Sequence, residues 1–169
     1  MLNKTTALLK GLNVLNWLIA GLFALFVLGL FVLPYGPRLL SLLELRYGPD
    51  GRAALTEILV LEATLMVPVA FAVHRIFART CAIVVSAREG NPFVRENAAR
   101  LRQIGLALLI IQVLDLFSGI GLMKASIISK QQFGWSPALT GWLAALLMYV
   151  LARIFEHGAD MREELEGTV

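Results

Sequence analysis

The chain is poor in the groups on which soluble enzymes are built. It has one cysteine, Cys81, so no intramolecular disulfide and no cysteine-based metal framework is available. It has two histidines, His74 and His157, and a bare pair does not make a metal site. No G-x-S-x-G, no H-E-x-x-H and no phosphate-binding glycine-rich loop is present, so catalytic, cofactor and metal chemistry have no motif to rest on. Charged residues make up only 16% of the chain. Internal repeats and low-complexity segments are also missing.

What remains is apolar. Hydrophobic residues are 58% of the sequence and the mean hydropathy is +0.75. A soluble domain of 169 residues could not hide that much apolar surface, so the solvent is a lipid bilayer. Four runs are long enough to cross it, at about 14–33, 55–72, 104–122 and 139–155. The first follows Lys4 and Lys10 but exceeds a secretory signal core and lacks a cleavage pattern, so it reads as a retained span. Trp17 stands near its start as an interfacial aromatic. Pro34, Gly36 and Pro37 end it, and residues 34–53, with the turn signal YGPDG, read as a loop. The expected fold is an all-α integral membrane four-helix bundle, one domain over residues 1–169.

Lysine and arginine counts orient the spans. The N-terminal tail has two (Lys4, Lys10), the second loop six (Arg75, Arg79, Arg88, Arg95, Arg100, Arg102) and the C-terminal tail two (Arg153, Arg162). The first loop has three (Arg38, Arg46, Arg52) and the third two (Lys124, Lys130), so ten basic residues face five. Both termini and the middle loop are expected in the cytoplasm. The basic stretch REGNPFVRENAARLR at 88–102 is thereby explained as a topology signal that touches anionic lipid heads. A nucleic-acid role is poor, because Phe93 is the only aromatic in the segment and no binding motif occurs.

The cytoplasmic side should be helical. Residues 76–89 continue span two, and Gly90 is the natural residue just past its end. Asn91 then caps the next helix, with Pro92 in its first position. Together with residues up to 103 this makes a hairpin, and residues 156–169 form a tail. The tail is acidic, and Arg88, Arg95, Arg100 and Arg102 are candidates to meet Glu163, Glu164 and Glu166. Exposed pairs of this kind orient a tail more than they stabilise a fold.

Charges inside spans are expensive and suggest function. Glu57 is near the outer boundary, whereas Glu62 and Asp115 each lie on the order of 10 Å deeper, at a shared level. Gln112 and Ser118 stand three residues either side of Asp115 and face roughly the same way. Two carboxylates at one level can share a proton or bind a cation. Equally, each can be neutral, or capped by a neighbour such as Lys124, and serve helix packing.

The stretch GNPFVRENAARLRQIG at 90–105, followed by an apolar span and the ending LARIFEHGADMREELEGTV at 151–169, resembles the bacterial membrane family known as domain of unknown function 2975. Asn91, Pro92, Phe93, Asn97, Leu101, Phe155, Gly158 and Glu164 carry the likeness. The resemblance implies a small four-helix integral membrane protein whose gene often accompanies a helix-turn-helix regulator, and hence a role near transcriptional control or stress response. It implies no activity and no catalytic residue. Within the motif, Gly158 permits close helix approach, and Asn97 has no capping job and so calls for a specific polar contact.

The expectation is a non-enzymatic bacterial inner-membrane protein that engages a partner or regulator through its hairpin and tail. Its other partners would be the bilayer and, in a homodimer, a second copy, with no nucleic acid and no cofactor. The alternative is a small proton- or cation-coupled transporter using Glu62 and Asp115.

Overall fold

The structure, a computed structural model, describes residues 2–34 and 36–166, the side chains of residues 2, 3 and 166 excepted. Among these residues there are four helices and no strand: α1 (Leu2–Val32), α2 (Gly36–Arg88), α3 (Arg95–Ser129) and α4 (Leu139–Glu166). All four are long and apolar enough to cross a membrane. The protein is therefore an all-α, four-helix integral membrane protein.

Its side chains are sorted as a bilayer requires. The buried hydrophobic residues are mostly alanines, among them Ala98, Ala107, Ala145, Ala152 and Ala159. Large residues point outward: Leu22 and Leu25 of α1 are each 66% exposed and Ile120 of α3 is 64% exposed. In water that arrangement would expose too much apolar surface to be stable. In lipid it is favourable, because tails solvate leucine while small residues let helix backbones approach. Gly105 shows the approach: a methyl added there would sit 3.3 Å from the Ala145 carbonyl oxygen of α4.

Contacts cluster in two units. One comprises residues 1–16, 71–112 and 138–169, and the other residues 17–70 and 113–137. Three of the four boundaries fall inside α1, α2 and α3, and the last in the connection before α4.

In the first unit, α2 runs on to Arg88 as its uninterrupted pattern predicts. Gly90 then takes a left-handed conformation, with φ 83°. The Gly90 amide bonds to the Ala87 carbonyl and the Asn91 amide to the Ser86 carbonyl, the pair of reversed bonds that closes a helix end. The expected cap of α3 is corrected. Asn91 and Pro92 lie outside that helix, which begins at Arg95 with the Val94 carbonyl accepting from Asn97. Asn91 is committed to finishing α2 and so cannot also start α3.

In the second unit, the loop expected at 34–53 is corrected as well: it is helical from Gly36 onward, within α2. The only break is Gly48, with φ 75° and ψ 173°. The turn signal at 47–51 is thus one bend, after which Pro49 opens the following helix, a position where its missing N–H costs nothing. Arg52 donates to Glu44 across the bend at 2.6 Å. At the other end of this unit α3 outruns its expected limit of Leu122 and stops at Ser129, and Lys130 follows with φ 54°. Residues 131–138, including GWSP, are non-helical.

Gly90 has open space around it, so substitution there tests backbone conformation alone. Gly90→Ala should lower stability by about 1–2 kcal/mol, the cost of a left-handed non-glycine residue, and Gly90→Asn by less. Unfolding midpoints in detergent measure both.

Candidate functional site

The hairpin between α2 and α3 is built around one amide. Asn97, in the first turn of α3, is completely buried. Its Nδ2 donates to the Pro92 carbonyl at 2.8 Å and to the Ser86 hydroxyl at 3.1 Å. Its Oδ1 accepts from Arg100 at 2.6 Å. The Ser86 hydroxyl in turn donates to the Asn91 carbonyl at 2.7 Å. One side chain thus joins the end of α2, the connecting loop and the start of α3. Arg100 is corrected as a tail partner: it turns inward to Asn97 and reaches the Ala82 carbonyl at 3.5 Å.

The tail end of α4 lies on this hairpin. The Phe93 ring meets the Phe155 ring at 5.1 Å and fits against Gly158, where an added methyl would come within 2.9 Å of it. Around this apolar contact run the ion pairs. Arg95 grips Glu163 with two bonds, at 2.9 and 3.0 Å, and stands 2.9 Å from Asp160. Arg102 pairs with Glu156 rather than with the final glutamates. Arg162 donates to the Asn91 side chain at 2.8 Å. The hairpin thus holds Glu156, Asp160 and, of the three expected glutamates, Glu163; Glu164, exposed, has an interaction of its own, and the Glu166 side chain lies outside the described residues. The antiparallel register could have been read from the acidic stripe Glu156, Asp160, Glu163 facing Arg102 and Arg95. Ser86, the partner of Asn97, gave no such signal.

A cleft of about 250 Å³ opens between hairpin and tail, with Asn91, Arg95, Glu96, Arg162 and Glu163 at its walls. A more apolar groove of about 490 Å³ lies along Phe93, Ile154, His157, Gly158 and Met161. Hydrogen bonding to Arg95 holds the Glu163 carboxyl below the usual carboxylate range, and the same contact raises the Arg95 pKa.

Residues 47–169 match the family model described as "Protein of unknown function (DUF2975)", well over half of the chain. The chain belongs to that family. No curated protein and no solved structure matches it. The DUF2975 match takes in the hairpin, α3 and the tail, and also the intramembrane carboxylates.

In this DUF2975 protein those carboxylates have separate partners. Ser118 donates to Glu62, and the Trp135 indole stands 3.5 Å from Asp115. Trp135 reaches Asp115 because Gly119 leaves room for its ring, with no space there for a side chain. Lys124 is corrected as their neutralising neighbour: it pairs with Glu57 at 3.2 Å. Gln112 has a partner of its own. It is buried and donates to the Ala138 carbonyl at 2.8 Å, closing the start of α4. Among the described residues no three His, Cys, Asp or Glu side chains are grouped to hold a metal ion.

Two outcomes follow. Asn97→Leu keeps the volume but strands the Pro92 carbonyl and leaves the Ser86 hydroxyl only its bond to Asn91, at about 1–3 kcal/mol, so limited proteolysis should open the hairpin at 89–94. The Arg95 contact stabilises docking fully above the ordinary glutamate pKa of about 4.3, and that contribution fades as pH falls through the lower bound-state value. Spin labels at Glu96 and Leu165, with Cys81→Ser, should report a distance that broadens in the parent as pH falls below the ordinary glutamate range and is less pH-dependent in Arg95→Gln.

Proposed function

We propose that this protein is a non-enzymatic component of the bacterial inner membrane, with both termini and the α2–α3 hairpin in the cytoplasm, and that the docked hairpin and tail form a platform for a cytoplasmic protein partner or regulator. The reading rests on one observation, the fully buried Asn97 amide that fixes the hairpin. A loop needed only to carry positive charge has no use for such a fixture. Fixing it presents Arg95, Glu96, Arg162 and Glu163 at one cleft in a defined arrangement. Preorganisation of that kind lowers the entropy lost when a partner binds. The topology is supported by the ten-to-five split of basic residues.

Ion transport has less support. Glu62 and Asp115 each have their own neutral donor, Ser118 and Trp135, and neither contact needs a shared proton or a bound cation.

A photo-crosslinking residue placed at Val94 in living cells tests the platform. A discrete protein adduct is expected, several-fold weaker with Asn97→Leu and unchanged with Glu62→Gln. An adduct pattern indifferent to Asn97→Leu sinks the reading. Purified protein in proteoliposomes should show no proton or cation flux above empty vesicles; flux that disappears with Glu62→Gln and Asp115→Asn would put a carrier in its place.

A further inference from the structure

The helical stretch at 36–47 has two unlike faces. Toward the protein it turns Leu40, which is buried, and the half-buried Leu43 and Tyr47. Its first residue, Gly36, lies so close to the Leu30 carbonyl that no side chain fits. Away from the protein it turns Leu39, Leu42 and Leu45, which are 48%, 59% and 83% exposed. Arg38 and Arg46 lie on the same arc, between the leucines, and both are exposed. That arc holds no acid, since Glu44 is turned to Arg52 across the Gly48 bend.

Position narrows what can cover those leucines. α1, a membrane-length helix, ends at Val32, and its last turns are lipid-type surface, with Leu28 58% and Val32 69% exposed. The helix at 36–47 therefore begins at a membrane boundary and continues an apolar exterior. The Ser41 hydroxyl donates to the Arg38 carbonyl, so this polar group is satisfied without water. A second copy fits poorly, because a self-complementary contact would set Arg38 and Arg46 against the same arginines with no acid between.

We propose that helix 36–47 is an interfacial anchor lying in the plane of the membrane surface, with Leu39, Leu42 and Leu45 at the acyl boundary and Arg38 and Arg46 on lipid phosphates. Long arginine side chains reach back to the headgroup level while leucines go deeper. The left-handed Gly48 then turns the chain from the surface into the span of α2. This role is independent of what the hairpin binds.

Nitroxide accessibility tests it. In a Cys81→Ser background, Leu39→Cys, Leu42→Cys, Leu45→Cys and Ser41→Cys are labelled singly and reconstituted in phosphatidylethanolamine vesicles with and without phosphatidylglycerol. All four positions are outside the core, so folding is preserved. The leucine positions should prefer oxygen over a nickel chelate by several-fold relative to Ser41. Equal access at all four overturns the anchor. Low access to both reagents that recovers when protein is diluted in lipid also overturns it, in favour of a second copy. Adding phosphatidylglycerol should deepen the Leu42 label, and Arg38→Gln with Arg46→Gln should remove that response. A parent protein indifferent to phosphatidylglycerol overturns the phosphate contact.

Discussion

A backbone group shut away from water, in protein or in lipid, must find a partner, and the places where helices stop are where this constraint bites. The four buried polar side chains among the described residues, Ser86, Asn97, Gln112 and Ser129, stand at those places or reach to them. Ser86 and Asn97 take up the Asn91 and Pro92 carbonyls between α2 and α3. Ser129 donates to the Ala125 carbonyl where α3 ends, and Gln112 to the Ala138 carbonyl where α4 begins. Ser126, partly exposed, accepts the Phe133 amide in the same connection. Polar residues in this apolar chain are in the first instance helix terminators, and function has to be sought in what they leave over.

That rule separates what could be read from the sequence from what could not. The spans, the run of α2 past the membrane edge and the glycine at its end follow from local pattern, and local pattern sufficed. The loop expected at 34–53 failed because Gly36, Pro37, Gly48, Pro49 and Gly51 read together as breakers. Three of them, Gly36, Pro37 and Pro49, open helical segments, Gly51 packs against Tyr47, and only Gly48 breaks the helix. Asn91 and Pro92 failed for a similar reason: a good cap sequence was taken by the preceding helix first. Gln112 could not be placed by spacing at all. Its partner is 26 residues away, in a connection whose path no periodicity encodes. Asn97 was legible as an anomaly, a polar residue without a local task, but Ser86 belongs to another helix and only the antiparallel packing of α2 and α3 unites them.

Two kinds of contact hold the tail, and they differ in what they can do. The ion pairs are solvent-exposed, with Arg95 and Glu163 each showing more than half of their side chains. Water and salt weaken them, so their contribution is direction and register rather than strength. Phe93 is different, because its ring enters a space that exists only while position 158 has no side chain. Apolar contact does not depend on pH or salt to the same degree. The docking should therefore loosen in its charged periphery before it separates at Phe93.

This ordering bears on how such a face could be used. An acidic or basic partner entering the cleft competes for Arg95, Arg162, Glu96 and Glu163, all partly accessible and individually weak. It can redirect these groups without breaking the Phe93 contact or uncovering Asn97. The geometry thus separates an adjustable rim from a fixed base. Deeper in the spans, Glu62 and Asp115 are engaged by Ser118 and Trp135, and Trp135 is itself wedged against Gly119. Weak, solvent-screened contacts are concentrated where charge meets solvent, and buried polar contacts where the chain breaks its helices.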